Sequence, residues 1–259
     1  MKNLIIATLL FTQFNCFAFT LNPNTGKGFK DTEVNIYIAD TDCSGAGFTT
    51  AQYRTLIKEA VNKFWNAVPT SSLRLDVKEI RSDIDIDGDD HEAAIQKAPM
   101  NSILAGCNDS AEDFDDASIL GSALMTCSGS NCQAVLILNA HPNSSLPDKS
   151  SSTIEAIIAH ELGHAFGLGH SEFKHNLMYY SISGKFQEWL GQDDIDGVTY
   201  LYPHDPELEI LGISAMGSCA TLSFDGEEDS SHFLKSFFSG LFFFLVLYRV
   251  RRRWRLRES

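Results

Sequence analysis

Residues 160–170 read HELGHAFGLGH, so three histidines and one glutamate stand at fixed spacings within eleven residues. If this stretch is helical, His160 and His164 project from one face of the helix, one turn apart. That spacing allows both imidazoles to bind the same metal ion. Glu161 is offset from His160 by about 100° around the helix axis, so its carboxylate can face a water on the metal instead of binding the metal itself.

Three glycines interrupt the same stretch. Gly167 supplies the left-handed residue that ends a helix, and Gly169 allows the chain to double back, so that His170 reaches the metal from outside the helix. Gly163 permits either close packing or substrate approach, and the sequence does not decide between them. Three neutral imidazoles leave one position of a tetrahedral site open, which is typical of a catalytic zinc site. The full pattern is far more specific than H-E-x-x-H alone, which occurs in many unrelated helices.

Periodicity places this helix in an α+β fold. Apolar residues spaced three and four apart predict a long helix over residues 48–68. Four other segments have the composition of β-strands: residues 34–40, 73–80, 118–127 and 134–140. A strand, a long helix and then several strands indicate a mixed sheet with one crossing helix.

Both long helices carry a signal for their first turn. Thr49 and Gln52 have the spacing of a capping box at the start of the first helix, and Pro69 is expected to end that helix. Ser152 and Glu155 have the same spacing before the histidine motif. We therefore expect the motif helix to begin at this second box.

The cysteines indicate an oxidising compartment. Five cysteines follow residue 18: Cys43, Cys107, Cys127, Cys132 and Cys219. An odd number suggests two disulfides and one remaining thiol. Cys127 and Cys132 flank the turn-like sequence SGSN, and Cys43 then pairs with Cys107 by elimination. The alternative for Cys127 and Cys132 is a metal site, although no further pair of cysteines or histidines lies nearby.

The N-terminus has the features of a secretory signal peptide over residues 1–18. It combines Lys2, a short apolar run and a small residue, Ala18, suitable for cleavage. A lipoprotein signal at Cys16 is the alternative, but Phe14 and Asn15 are poor neighbours for such a site. We therefore expect an exported protein.

The C-terminus has the features of a single-pass membrane anchor. Residues 233–248 are apolar, and residues 249–259 contain six arginines, which favours a cytoplasmic position for this basic tail. The apolar segment spans about 24 Å as a helix, somewhat less than the hydrocarbon layer of a bilayer. A buried C-terminal helix and a sorting tail that is removed after Cys219 are the alternatives. An acidic spacer over residues 207–232 precedes the segment.

The part of the chain between these ends is strongly acidic. Residues 19–231 contain 12 lysines and arginines against 33 aspartates and glutamates, a net formal charge of −21. Nucleic acid and anionic membrane surfaces are poor partners for such a charge. Cations and basic polypeptides are compatible with it.

The motif resembles that of the metzincin zinc endopeptidases, and within them the matrixin-like branch. Ser171 follows the third histidine, as is common in matrixins, and Met178 in the stretch NLMYYS matches the methionine of the Met-turn. Residues 190–203, LGQDDIDGVTYLYP, resemble the segment that opens the last helix of matrixin catalytic domains. A weaker similarity extends upstream through ILGSALM and VLILNA. In all, the resemblance covers roughly residues 33–204.

The resemblance implies a matrixin-like catalytic domain over residues 19–206. Its fold would be a mixed, mostly parallel twisted sheet with two long helices and a small C-terminal subdomain that ends in a helix. The resemblance implies that the zinc ligands are His160, His164 and His170. Glu161 would be the general base, and Met178 would form the floor of the site. Such a chain is a monomeric endopeptidase that hydrolyses polypeptides with a zinc-activated water.

A non-catalytic surface binding or adhesion protein that retains the zinc site is the alternative function. Zinc binding alone does not require a base, so the presence of Glu161 argues for the endopeptidase. The cleft for an extended substrate is expected between the edge strand of the sheet and the segment around Met178.

Further metal sites have weaker support. Animal matrixins hold a structural zinc with a histidine and aspartate cluster before the catalytic helix, whereas only His91 and His141 are present here, so we expect one zinc. Residues 83–94 begin like an EF-hand loop, but Ala94 stands where a bidentate glutamate is needed. We expect a solvated acidic loop there, with calcium binding as the alternative. Three downstream carboxylates are expected to cap and orient the last helix: Asp193, Asp194 and Asp196.

Overall fold

A computed structural model describes residues 19–110, 114, 118–181 and 189–204. All of these residues belong to a compact unit that spans residues 1–225. The expected signal peptide, acidic spacer, apolar segment and basic tail lie outside the described residues, as does Cys219. Within the described part of the chain, none of the helices has the length and apolar character needed to cross a membrane.

The described residues form a five-stranded mixed sheet. Its strands are β1 (Glu33–Ala39), β2 (Arg74–Arg81), β3 (Ser102–Asn108), β4 (Gly121–Ser128) and β5 (Asn131–Asn139). Their spatial order is β2-β1-β3-β5-β4. The first three pairings are parallel, and β4 runs antiparallel to β5. The predicted mixed, mostly parallel sheet of an α+β fold is confirmed.

Four α-helices accompany the described strands. They are α1 (Thr50–Lys63), α2 (His91–Lys97), α3 (Ser151–Ala165) and α4 (Gln192–Leu201). Helices α1 and α3 pack with one face of the sheet in the main hydrophobic core, whereas α2 belongs to a second apolar cluster. The two predicted long helices are therefore present, and α4 is the last described helix, as the resemblance implied.

Helix α1 begins as predicted but ends earlier. The capping box of Thr49 and Gln52 is formed, yet the helix stops at Lys63, well before Pro69. The following residues make tertiary contacts that a continued helix would break. The Trp65 indole N–H donates to the Ala159 carbonyl at 2.8 Å, and the Asn66 amide bonds both the N–H and the carbonyl of Leu75. These contacts end the helix before the proline can.

The predicted start of α3 is wrong by two residues. Ser150 is the N-cap, and its hydroxyl accepts from the Thr153 N–H. Glu155 does not reach back to complete a box with Ser152. Its carboxylate instead lies 3.1 Å from the Lys63 ammonium on α1. An opposite charge on the neighbouring helix offers Glu155 a partner that the local sequence does not reveal.

Strand β3 and helix α2 were not predicted. Every residue of β3, SILAGCN, is buried, because the strand lies between β1 and β5 with apolar residues on both faces of the sheet. A strand covered on both faces lacks the alternation that identifies a half-exposed strand. Helix α2 follows the acidic loop and covers the face of the sheet opposite α1 and α3.

Both predicted disulfides are present. Cys43 bonds Cys107 and Cys127 bonds Cys132. The second pair also lies in register between β4 and β5, at the hairpin that joins them. The alternative of a metal site at Cys127 and Cys132 is therefore wrong.

Tyr202 connects the end of α4 to the rest of the fold. It is buried, its hydroxyl donates to the Phe166 carbonyl at 2.8 Å, and the same oxygen accepts from the Phe29 N–H at 2.8 Å. We expect Tyr202→Phe to lower the free energy of unfolding by about 1 to 3 kcal/mol, because both backbone groups lose their partner in the core. Chemical denaturation measures this loss.

Tyr200→Phe is the matched control, since Tyr200 lies on the same helix but is 44% exposed. Its effect should stay within about 0.5 kcal/mol. Equal effects of the two substitutions would contradict the role of the Tyr202 hydroxyl.

Candidate metal centre

Three histidines converge at the C-terminal end of α3. His160 and His164 project from one face of the helix, and His170 approaches from the chain beyond the helix end. The Nε2 atom of His164 lies 3.2 Å from Nε2 of His160 and 3.1 Å from Nε2 of His170. Two nitrogen ligands of a tetrahedral zinc are about 3.3 Å apart, given a bond of about 2.05 Å. Both spacings fit one zinc ion, and the ligand atoms of all three histidines lie within 4.8 Å of one another.

Backbone carbonyls determine which ring nitrogen carries the proton. Nδ1 of His160 lies 2.7 Å from the Leu177 carbonyl, and Nδ1 of His164 lies 2.9 Å from the Leu168 carbonyl. A carbonyl only accepts, so each Nδ1 carries the hydrogen and each Nε2 presents a lone pair. Lone pairs that face one another at this distance repel unless a cation lies between them. The donor set thus suits a metal ion by its chemistry as well as its spacing.

Gly167 ends the helix as predicted. Helix α3 stops at Ala165. Gly167 has a φ of +120°, a backbone conformation that residues with a side chain rarely adopt. A Cβ at this position would also come within 2.7 Å of the Lys27 carbonyl oxygen. Both the backbone conformation and the close approach of another segment therefore require glycine here.

Gly169 has a different role from the predicted one. It does not have a positive φ, but a Cβ there would lie 2.3 Å from Oγ1 of Thr20 and 2.6 Å from the Leu21 carbonyl oxygen. The residue is small because an N-terminal segment passes against it. Space for that segment, and not a turn of the backbone, explains this glycine.

The N-terminal segment from Thr20 to Asn22 holds the loop that carries His170. The Thr20 hydroxyl donates to the His170 carbonyl at 2.5 Å, and the Gly169 N–H donates to the Thr20 carbonyl at 2.9 Å. The Asn22 side-chain amide donates to the His164 carbonyl at 3.2 Å. Sequence reasoning did not identify these residues, because nothing in their local sequence indicates a contact with a motif about 140 residues away.

Glu161 lines the same cleft as the histidines and is 9% exposed. Burial raises the pKa of its carboxyl to about 8 in the metal-free chain. A divalent cation on the neighbouring histidines would lower this pKa, since an opposite charge favours the ionised form. Burial likewise lowers the pKa of His164 to about 4, with the nearby His170 acting in the same direction. A low histidine pKa keeps Nε2 free to bind metal at neutral pH.

Met178 packs directly beneath the helix that carries the histidines. A Cβ on Gly163 would lie 2.3 Å from the Met178 sulfur and 3.2 Å from the Trp65 ring. Gly163 is therefore required by close packing, and this contact decides between the two alternatives that the sequence left open.

Asp194 joins α4 to the segment that contains Met178. Its buried carboxylate accepts from three N–H groups, those of Gly191 at 2.7 Å, Leu177 at 2.5 Å and Met178 at 3.0 Å. The Leu177 carbonyl in turn accepts from Nδ1 of His160. Burial raises the pKa of Asp194 to about 6, while the three N–H bonds act in the opposite direction. Asp194 therefore positions His160 through the backbone of Leu177.

The other two predicted capping carboxylates have separate partners. Asp193 accepts from the Ser171 hydroxyl at 2.6 Å, and Asp196 accepts from the Gln192 side chain at 2.9 Å. Ser171 also accepts from the Asn176 amide. Asp193 thus orients the chain that follows His170, whereas the hydrogen bond of Asp196 joins two residues of α4.

We expect Asp194→Ala to weaken zinc binding by about 10- to 100-fold, the usual effect of removing an outer-shell partner of a metal ligand. The reason is that Leu177 loses its anchor, so the His160 ring is no longer held in orientation. Competitive titration with a chelating dye measures the affinity. Asp196→Ala removes a carboxylate from the same helix and should change the affinity less than twofold. Equal zinc affinities for Asp194→Ala and wild type would contradict the positioning role.

A cleft of about 990 Å³ passes over the three histidines and Glu161. One wall is formed by Gly121 to Ala123 of β4, which is the edge strand of the described sheet. Tyr179, Tyr180 and Ser181, which follow Met178, also line the cleft. The predicted cleft between the edge strand and the segment around Met178 is therefore present.

The remaining candidate ligands are not brought to this site. Among the described residues, the three converging histidines form the single group of three or more side chains suited to a metal. In the acidic loop, Asp85 accepts from the Asp87 N–H, Asp90 caps α2, and the Lys97 ammonium pairs with Asp89. Ala94 packs in the second apolar cluster. His91 and His141 are not part of the three-histidine group.

Comparison with known proteins places these features in one family. The family model described as Matrixin matches residues 44–203. The chain is 43% identical over 54 residues to Metalloendoproteinase 2-MMP of Arabidopsis thaliana, which is 20% of this chain and 14% of that protein. It is 43% identical over 61 residues to Metalloendoproteinase 1 of Glycine max, which is 23% of this chain and 20% of that protein. The matched segments thus cover a fifth or less of these two relatives. Since the family model covers more than half of the sequence, the chain belongs to the matrixin family.

Proposed function

We propose that this protein is a zinc-dependent endopeptidase. The observation that carries the proposal is the convergence of three histidine side chains in a cleft that also contains a buried glutamate. His160, His164 and His170 would hold the zinc, and Met178 would form the floor beneath them. The names of the relatives, both metalloendoproteinases, support this assignment.

Each side chain has a defined task in peptide hydrolysis. Bound zinc would supply Lewis acidity, which polarises a peptide carbonyl and makes a water acidic near neutral pH. Glu161 acts as the general base that takes the proton from that water. The same carboxyl then donates the proton to the leaving amine. The carbonyls of Leu177 and Leu168 keep two of the imidazoles in the tautomer that binds metal.

The substrate is an extended polypeptide. Strand β4 has one neighbour, β5, in the described sheet, so its other edge can pair with a substrate segment as an added strand. Main-chain pairing explains how a peptidase holds many sequences in the same orientation. We expect internal bonds of unstructured polypeptides to be cut.

A non-catalytic binding protein is the second candidate. Such a protein would need the three histidines but not Glu161. Burial of the Glu161 carboxyl costs free energy, and a binding protein would gain no function from it. Its position in the cleft therefore favours the endopeptidase.

Zinc content and cleavage together test the proposal. The full-length protein should carry one zinc ion per chain by elemental mass spectrometry, and should cut an unfolded protein at internal bonds identified by peptide mapping. Zinc without any cleavage would favour the binding protein. Absence of zinc would reject both candidates.

We also propose that the domain is exported and tethered. Residues 1–18 would direct export, residues 19–206 would form the catalytic domain and residues 207–232 the spacer. Residues 233–248 would anchor the chain, with the basic residues 249–259 in the cytoplasm. Two disulfides in the catalytic domain support an oxidising compartment. We propose that the protein is a monomer and that zinc is its metal cofactor.

Protease added to intact cells or spheroplasts tests this topology. It should digest the catalytic domain but spare an epitope tag placed after Ser259. A protected domain with an accessible tag would reverse the orientation. Release of the full-length protein without detergent would reject the anchor.

A further inference from the structure

A row of residues follows one side of α3 along the cleft. Lys149, Thr153, Ile157 and Glu161 are each four residues apart, and all four line the cleft. Thr153, Ile157 and Glu161 lie on one face of the helix, whereas Lys149 precedes the N-cap and has an extended backbone. At 1.5 Å per residue, the helical part of the row is about 12 Å long. It leads from the proposed general base to a lysine.

Lys149 combines partial burial with a position in the cleft. It is half-buried, and it is the only lysine or arginine among the described residues that line the cleft. Lys63, Lys78 and Lys97 each pair with a carboxylate. In the described part of the protein, Lys149 has no such ion pair. Its charge is therefore available to a molecule in the cleft.

The start of α3 adds to the positive potential at this point. The helix has 15 residues and begins at Ser151, directly after Lys149 and the N-cap Ser150. Its macrodipole places a partial positive charge at this end. An anionic group at this end of the cleft would thus meet both the lysine and the helix terminus.

The direction of an added substrate strand relates this end of the cleft to the cleaved bond. Gly121, the first residue of β4, packs against the Glu161 side chain. Ile119 and Leu120 precede it, line the cleft, and bond to Asn139 at the end of β5, from which the chain leads into α3. A peptide antiparallel to β4 runs toward this end. Its residues after the cleaved bond therefore approach Lys149.

We propose that the substrate pairs antiparallel with β4 and that Lys149 selects substrates with a carboxylate side chain on the C-terminal side of the cleaved bond. The inference rests on the proposed endopeptidase function. Ile157 lies on α3 between the general base and the lysine, and both Ile157 and Ile119 line the cleft, so they can pack against the aliphatic part of a glutamate. Lys149 is thus a specificity-determining residue and takes no part in the chemistry.

Paired peptides test this selection with the full-length, zinc-loaded protein. Peptides that differ only by glutamate or glutamine at each of the first four positions after the cleaved bond have the same shape but different charge. At one or more of these positions, we expect kcat/KM to be about fivefold higher for glutamate, near the upper end for a partly exposed ion pair. The preference should shrink between 0.1 M and 1 M salt, because the screening length falls from about 10 Å to about 3 Å.

Three variants separate Lys149 from the overall acidity of the protein. Lys149→Gln should remove the preference, because kcat/KM for the glutamate peptides falls to that for the glutamine peptides. Lys149→Glu should reverse it, so that a lysine at the same position is favoured over glutamate. Lys58→Gln, an exposed lysine on α1 with the same charge loss, should leave the preference unchanged. Equal cleavage of glutamate and glutamine peptides by wild type at all four positions would overturn the inference but not the endopeptidase function.

A binding measurement keeps the inference testable without turnover. The zinc-loaded Glu161→Gln variant should bind the glutamate peptide about fivefold more tightly than the glutamine peptide, and adding Lys149→Gln should abolish the difference. Peptide binding with this difference but no cleavage by wild type would reject the endopeptidase and retain the selection by Lys149. Equal binding of the two peptides would overturn the selection.

Discussion

The Glu161→Gln protein should retain one zinc ion per chain and lose about 100- to 10,000-fold in kcat/KM, the range expected when a general acid or base is removed. Glutamine has nearly the same shape as glutamate but cannot accept or return a proton. The loss should appear mainly in kcat, because the peptide still pairs with β4. Steady-state hydrolysis of a fluorogenic peptide, with zinc content measured on the same sample, tests this expectation.

Glu155→Gln is the matched control. Glu155 lies on the same helix, but its carboxylate pairs with Lys63 at the surface between α1 and α3. Partly exposed ion pairs contribute little, so activity should change less than twofold. If Glu161→Gln hydrolysed peptide as fast as wild type, Glu161 would not be the base. If that variant lost its zinc, Glu161 would act by assembling the site instead.

Removal of zinc should abolish activity and also destabilise the domain. Without a cation, the Nε2 lone pairs of His160 and His164 face each other at 3.2 Å. A ligand that binds only the folded chain stabilises it by about 4 kcal/mol when its free concentration is 1,000-fold above Kd. Activity and chemical unfolding, measured before and after dialysis against a chelator, test both effects.

Restoration by different metals provides the control for zinc removal. Zinc should restore activity and stability, whereas magnesium should restore neither, because magnesium requires oxygen ligands in an octahedron. Full activity after complete removal of zinc would contradict a metal-dependent mechanism. A loss of activity that zinc does not reverse would instead indicate irreversible unfolding.

Local patterns predicted most of the elements near the proposed site. Thr49 and Gln52 cap α1 as expected, because a capping box involves only neighbouring residues. The Cys127–Cys132 disulfide was likewise apparent from the short turn between the two residues. One boundary depends on distant contacts: helix α1 ends before Pro69 because Trp65 and Asn66 bond to other segments. The start of α3 differs for a local reason, because Ser150 and not Ser152 caps the helix.

The sequence by itself determined which side chains are candidates for the metal and the base. The spacing of His160 and His164 has a geometric meaning on any helix, since 3.6 residues per turn bring positions four apart together. Gly167 similarly marks the helix end, because few other residues adopt its backbone conformation. Such signals are local, so they can be read without knowing where the rest of the chain lies.

Only the tertiary structure decided how these side chains are held and what surrounds them. Thr20 and Asn22 bind the loop and helix of the histidines from more than 140 residues away, and Asp194 anchors Leu177 from the opposite side. The partly buried Lys149 is brought into the same cleft as Glu161 by the alignment of α3 with β4. These contacts join segments that are distant in sequence, and their hydrogen bonds and charges become specific only after the sheet and helices have packed.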